Sequence, residues 1–300
     1  MADDGRKASA NAAPKTAAAV RRSAARRPKA ASAAAAAAAA SPSAAALIVA
    51  HNQARRIAAT VRACRSIPGV DLVLVIDDGS LDNTQDLARK AGAVVVRQSH
   101  RRGRSASIET GAAVIAMRDE EGAVPRAILL LEAGVGAGAT GAAPIVAAVL
   151  EHVADMAIAL ADGNSRSTGA SASAARKAIA SRSGWSPIQP LSKVRCLTRE
   201  ALENAFPLSR GSGLETALTL DVIEAGFTVT EVPCELRHRP SRQAGKALTR
   251  ASQYRDVMMA ISARRIRFSL RSTQHVVEDA FHVASRSGTL KVRGDKKVEE

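Results

Sequence analysis

The chain is poor in aromatic residues: one Trp, one Tyr and four Phe in 300 residues. Its core must therefore be built from Ala, Val, Leu and Ile. A nucleic-acid surface made of stacking aromatics is disfavoured for the same reason. Only three cysteines occur, Cys64, Cys196 and Cys234, far apart and odd in number. Their spacing suits neither a zinc site nor a disulfide framework. Buried, reduced thiols in a cytoplasmic compartment are expected. No apolar run approaches the roughly 20 residues of a membrane span. The N-terminus has no ordered charged, apolar and cleavage regions, so no signal peptide is read there.

Basic charge is abundant, with a net +15. Residues 1–42 hold eight Lys/Arg against two Asp, and residues 261–300 hold nine against five acids. This spread favours attraction to a polyanion, such as an anionic membrane at its cytoplasmic face, over specific nucleic-acid reading. Tails that merely aid solubility are the plainer explanation. Residues 1–43 are Ala/Lys/Arg/Ser/Pro-rich and lack apolar periodicity, so a disordered arm is expected there. Residues 269–300 are expected to be a polar, basic tail.

Between these ends the chain alternates. Strands are expected at 46–50, 71–76, 93–97, 127–131 and 155–160, with helices at about 53–66 and 82–91, one fed by the basic loop His100–Arg104 and running to about 119, and one at about 142–152. A Gly-rich loop lies before the last of these helices. Residues 162–184 read as a mobile loop with a helical portion. A strand at 193–198, helices at 199–205 and 213–225, a strand at 227–236 and a long basic helix at about 242–267 follow. Such β-α-β-α order implies an α/β fold, a doubly wound and mostly parallel sheet with helices on both faces.

Three strand ends carry polar groups. The first runs into Ala50-His51-Asn52-Gln53, the second into Asp77-Asp78-Gly79-Ser80 and the third into Glu132. In an open α/β sheet, ligands bind beyond the carboxyl ends of the strands. Carboxylates there can accept hydrogen bonds from a base N–H or ribose hydroxyls. They can equally cap the next helix or hold a turn. Asn52 has the same two readings. Arg104, at the end of the basic run from His100, can bind phosphate bidentately or be one of several solvated charges.

With the elements placed, the motif order over roughly residues 45–260 resembles the family 2 glycosyltransferases, which have the GT-A fold. The family's Pro-Ala-Tyr-Asn-Glu matches Val49-Ala50-His51-Asn52-Gln53. Its Val-Asp-Asp-Gly-Ser-x-Asp-x-Thr matches Ile76 through Thr84. Its Asn-x-Gly-Lys-Gly-x-Ala matches Arg101 through Ser107. Segments 190–202, 211–216 (Gly-Ser-Gly-Leu-Glu-Thr) and Glu231-Val232-Pro233, the last followed by His238-Arg239, resemble stretches of bacterial members.

The resemblance implies a nucleoside-diphosphate sugar as donor, with an acceptor that sequence does not identify. Ala50, His51, Asn52, Gln53, Asp77, Asp78, Gly79 and Arg104 would bind the nucleotide sugar. Glu215 would be the catalytic general base. A divalent cation, Mg²⁺ or Mn²⁺, would be held by Glu132 and His238. Each has a structural alternative: Glu215 can complement a helix dipole, His238 can make a structural hydrogen bond, and Glu132 can face solvent. Asp221 reads as structural, and Trp185 as packing.

One departure stands out. The family's Asp-x-Asp reads Glu132-Ala133-Gly134 here, so the second carboxylate is missing. The family's Gly-Gln reads Lys193-Val194. An alternative therefore stays open, a catalytically impaired nucleotide-sugar-binding protein on the same fold.

Overall fold

The computed structural model describes residues 42–161, 165–236 and 246–286. Most of the expected N-terminal arm, part of the loop after 161, His238 and the last fourteen residues lie outside the described residues.

Four strands come first: β1 (Ala44–Ala50), β2 (Val70–Asp77), β3 (Val94–Arg97) and β4 (Ala127–Glu132). Then come β5 (Met156–Leu160), β6 (Arg195–Leu197) and β7 (Val229–Pro233). They form one seven-stranded sheet in the order β3-β2-β1-β4-β6-β5-β7. All neighbours pair in parallel except β6, which is antiparallel to both β4 and β5. The expected mostly parallel α/β sheet is borne out.

Period-two alternation explains why both faces are covered. Along β1, Ala44, Ala46, Ile48 and Ala50 enter one core cluster, while Ala45 and Leu47 enter the other. In β4, Leu129 and Leu131 join the first cluster, and Ile128 and Leu130 join the second. The first face is covered by α1 (Ile57–Arg65), α2 (Thr84–Lys90) and α4 (Ala143–Leu150). The second is covered by α3 (Arg104–Ala116), α6 (Arg199–Asn204) and α7 (Leu214–Glu224). Gly111 lets α3 sit close on β1, because a Cβ there would meet Leu47 Cδ1 at 2.3 Å. A third cluster joins α5 (Ala170–Ser183), α7 and α8 (Lys246–Arg286). Asp221 of α7 accepts from Arg264 Nη2 of α8 at 2.8 Å, and both are buried.

Several boundaries differ from the sequence reading. The first helix begins at Ile57 and not at residue 53. The backbone N–H groups of Asn52, Gln53 and Ala54 donate instead to Ser80, Thr84 and Asp82 side chains. The Gly-rich loop after β4 is a 3-10 turn over Gly136–Ala142. The last helix continues to Arg286, past the expected start of the tail at 269. Neither Pro nor Gly interrupts 246–286, so no residue there breaks a helix.

All three cysteines are free thiols and buried. Burial pushes Cys64 and Cys196 up to about 12 and Cys234 up to about 11. Trp185 is half-buried between the second and third clusters, a packing role, and Tyr254 is exposed on α8.

Candidate active site

The rim of the sheet is set by register. Ala50 at the end of β1 pairs with Asp77 of β2, and Val49 pairs with Glu132 of β4. Three separated sequence motifs therefore end side by side, at the carboxyl edge where such sheets bind ligands.

The carboxylates of the Asp-Asp-Gly-Ser turn are buried and hydrogen-bonded to backbone. Asp77 and Asp78 are 1% and 3% exposed. Asp77 Oδ1 accepts from the Ser80 N–H at 3.0 Å. Asp78 accepts from Arg102 N–H at 2.6 Å and from Gly103 N–H at 3.0 Å, which fixes the entry to α3. Gly79 has φ +72°, and a Cβ there would lie 3.1 Å from the backbone at His100 and Arg101. Only glycine combines that conformation with that approach.

The residues after β1 are tied to the same turn. His51 Nδ1 donates to Asp78 O at 2.9 Å. Asn52, at φ 52°, accepts from Leu81 N–H at 2.9 Å through its side-chain oxygen. Asn52 thus braces two loops and does not cap α1, whose N-cap is Arg56 without a side-chain bond.

The segment after β4 is braced by residues that the motifs did not reveal. Thr60 Oγ1 donates to Ala133 O at 2.7 Å and accepts from Gly136 N–H at 2.8 Å. Arg56 donates to Gly134 O at 3.0 Å. A buried Thr on the inner side of an amphipathic helix was the only available signal. A Cβ on Gly134 would lie 3.5 Å from Gln53 Oε1, so the first and third motifs face one another.

The cations are more extensive than the sequence suggested. Lys193 Nζ donates to Glu132 Oε1 at 2.7 Å. Arg104 donates from Nη2 to Lys193 O at 3.0 Å, while its Nε lies 3.5 Å from Glu215 Oε1. Arg104 Nε and Glu215 Oε1 are both buried, and neither makes a hydrogen bond. Behind them Arg195, 1% exposed, donates to Thr219 Oγ1 at 2.7 Å, Pro190 O at 2.8 Å and Ser192 O at 2.8 Å. Burial lowers its guanidinium to about 10, so it stays charged at neutral pH, with the charge of Glu215 acting in the opposite direction.

A divalent cation has few protein ligands here. Among the described residues no group of three or more His, Cys, Asp and Glu is placed to hold a metal. Glu132 is paired with an ammonium, and Asp77 and Asp78 are bonded to backbone N–H groups. The described donor set does not fit a metal site.

A mostly parallel sheet with this rim is the GT-A glycosyltransferase fold. It is shared with solved structures of glucosyl-3-phosphoglycerate synthase from Mycobacterium tuberculosis. The complex with phosphoglyceric acid is 18% identical, covers 74% of this chain and 80% of that chain, and gives a TM-score of 0.60. The complex with UDP is 19% identical, with the same coverage and TM-score. The complex with Mn²⁺, UDP-glucose and phosphoglyceric acid is 20% identical, covers 74% and 79%, and gives 0.58. Residues 45–116, from β1 through α3, match the model of the family described as Glycosyl transferase family 2. The resemblance read from the motifs is thereby borne out in the fold and, in sequence, over residues 45–116. No curated protein matches the chain.

Proposed function

We propose that the crevice at the carboxyl edge binds a nucleoside-diphosphate sugar and transfers the sugar to an acceptor hydroxyl. The observation that carries this reading is the convergence of the ends of β1, β2 and β4 beside Arg104 and Lys193. Polar loop groups there suit a nucleoside, and two cations suit its phosphates. In solved relatives UDP or UDP-glucose is present with Mn²⁺ or Mg²⁺, which supports a uridine nucleotide as the first donor to test. Ala50, His51, Asn52 and Gln53 would contact the nucleoside, with Asp77, Asp78 and Gly79 shaping the turn beneath it.

On the acceptor side, Glu215 would take the proton of the attacking hydroxyl. Its Oε1 makes no hydrogen bond within the fold and lies 3.5 Å from Arg104 Nε. His238 lies outside the described residues and remains a proposed ligand from the motif alone. The basic charge supports attraction to an anionic membrane surface. Among the described residues no helix is long and apolar enough to cross a membrane.

A thermal-shift panel of nucleoside diphosphate sugars tests the reading. A rise in melting temperature with one of them is expected, followed by release of the nucleoside diphosphate when acceptor is supplied. The second reading, a binding protein without transfer, is favoured by the Glu132-Ala133-Gly134 segment. It predicts the thermal shift without any release of nucleoside diphosphate.

A further inference from the structure

The missing carboxylate at position 134 and the lysine at position 193 are one feature in space. Lys193 Nζ sits on Glu132 at 2.7 Å, at the strand end where relatives of this fold are expected to hold their cation. The segment that carries the lysine is held firmly. Arg104 Nη2 binds Lys193 O, Ala159 N–H donates to Val194 O at 3.0 Å, Ser192 Oγ donates to Ala159 O at 2.8 Å, and buried Arg195 donates to Ser192 O. The ion pair with Glu132 then brings the ammonium to the strand end.

Charge balance points the same way. Two carboxylates holding a divalent cation balance its charge, and Glu132 likewise answers the Lys193 ammonium. Replacing Asp-x-Asp by Glu-Ala-Gly removes one negative charge and one ligand. Lys193 then supplies a single positive charge that needs no further ligands. A lysine binds phosphate as a point charge, and Arg104, linked to it through Lys193 O, adds a guanidinium fork. Glu132 in this arrangement orients a cation.

Resting on the functional reading above, we propose that Lys193, seated on Glu132 and joined to Arg104, takes the place of the divalent cation at the diphosphate. Nucleoside diphosphate binding would then be independent of metal.

Calorimetric titration of the full chain with UDP, GDP and ADP, and with their monophosphates, tests this in EDTA and in excess Mn²⁺. The expected result is a diphosphate affinity unchanged by metal. Lys193→Ala, at a side chain half exposed to solvent, should weaken the diphosphate by about tenfold or more, and the monophosphate far less. Lys193→Arg should retain most of the affinity. Glu132→Gln should leave the affinity the same in EDTA and in Mn²⁺, whereas loss of a metal ligand would weaken binding in Mn²⁺ alone. Binding that appears only with Mn²⁺, or a Lys193→Ala protein with unchanged affinity in EDTA, overturns the proposal and leaves the functional reading standing. The absence of diphosphate binding under both conditions overturns that reading, and the proposal with it.

Discussion

Arg104 Nε and Glu215 Oε1 face one another at 3.5 Å, close enough for charge attraction but without a hydrogen bond. They come from the first turns of α3 and α7, and the motifs assign them to opposite ends of the reaction. One guanidinium therefore touches both the proposed phosphate side, through Lys193 O, and the proposed acceptor side.

Arg104→Ala should destabilise the fold by about 2 kcal/mol. That is less than the roughly 3–5 kcal/mol for a fully buried pair, because Arg104 keeps 22% of its side chain exposed. In a urea-denaturation cycle, Arg104→Ala/Glu215→Gln should lose less than the sum of the single changes. Strict additivity would show that the two groups do not interact.

Asp78→Ala strands the N–H groups of Arg102 and Gly103 at the entry to α3. A loss of about 1–3 kcal/mol is expected. Asp78→Asn, which keeps one acceptor oxygen, should lose less. A loss of nucleotide affinity in Asp78→Asn with unchanged stability would give this carboxylate a direct ligand role beyond bracing the loop.

Position 134 accepts a side chain. Its Cβ would be in ordinary contact with Gln53 Oε1, and no left-handed backbone is required. Gly134→Asp combined with Lys193→Ala should therefore restore two carboxylates and clear the ammonium. Calorimetry should then show Mn²⁺ binding that depends on a nucleoside diphosphate, since phosphate oxygens complete such shells. A folded double variant without any metal response would mean that this loop does not face the diphosphate.

Glu231 gives a pH dependence. Burial holds its carboxyl above the usual value, against the opposing pull of the Ile188 and Gln189 N–H groups and the charges of Arg195 and Arg176. The native state thus binds this proton more tightly than the unfolded chain does. Its stability contribution is complete below the ordinary Glu pKa of about 4.3 and is lost as pH rises through the raised value. The stability of Glu231→Gln relative to the parent should therefore improve as pH rises from acid to neutral. A difference that stays flat over that range would refute the assignment.

Much of this was legible in the chain. Val-Leu-Ile runs bounded by turn residues marked the strands, and Asp77-Asp78-Gly79-Ser80 marked the rim, because buried parallel strands need continuous apolar runs and tight turns need particular residues. Local patterns also placed Glu132 and Arg104 at element ends. They could not show that the β6 segment, about 60 residues after β4, would return antiparallel beside it and bring Lys193 to Glu132. Nor could they show that Asp78 would be spent on the backbone at 102 and 103, or that Arg104 would meet Glu215. These pairings depend on sheet order and register, which act between residues far apart in sequence. The sequence by itself determined the strands, the turns and the loss of the second carboxylate. Tertiary structure alone decided which charge stands beside the remaining one, because only packing fixes distances across the sheet.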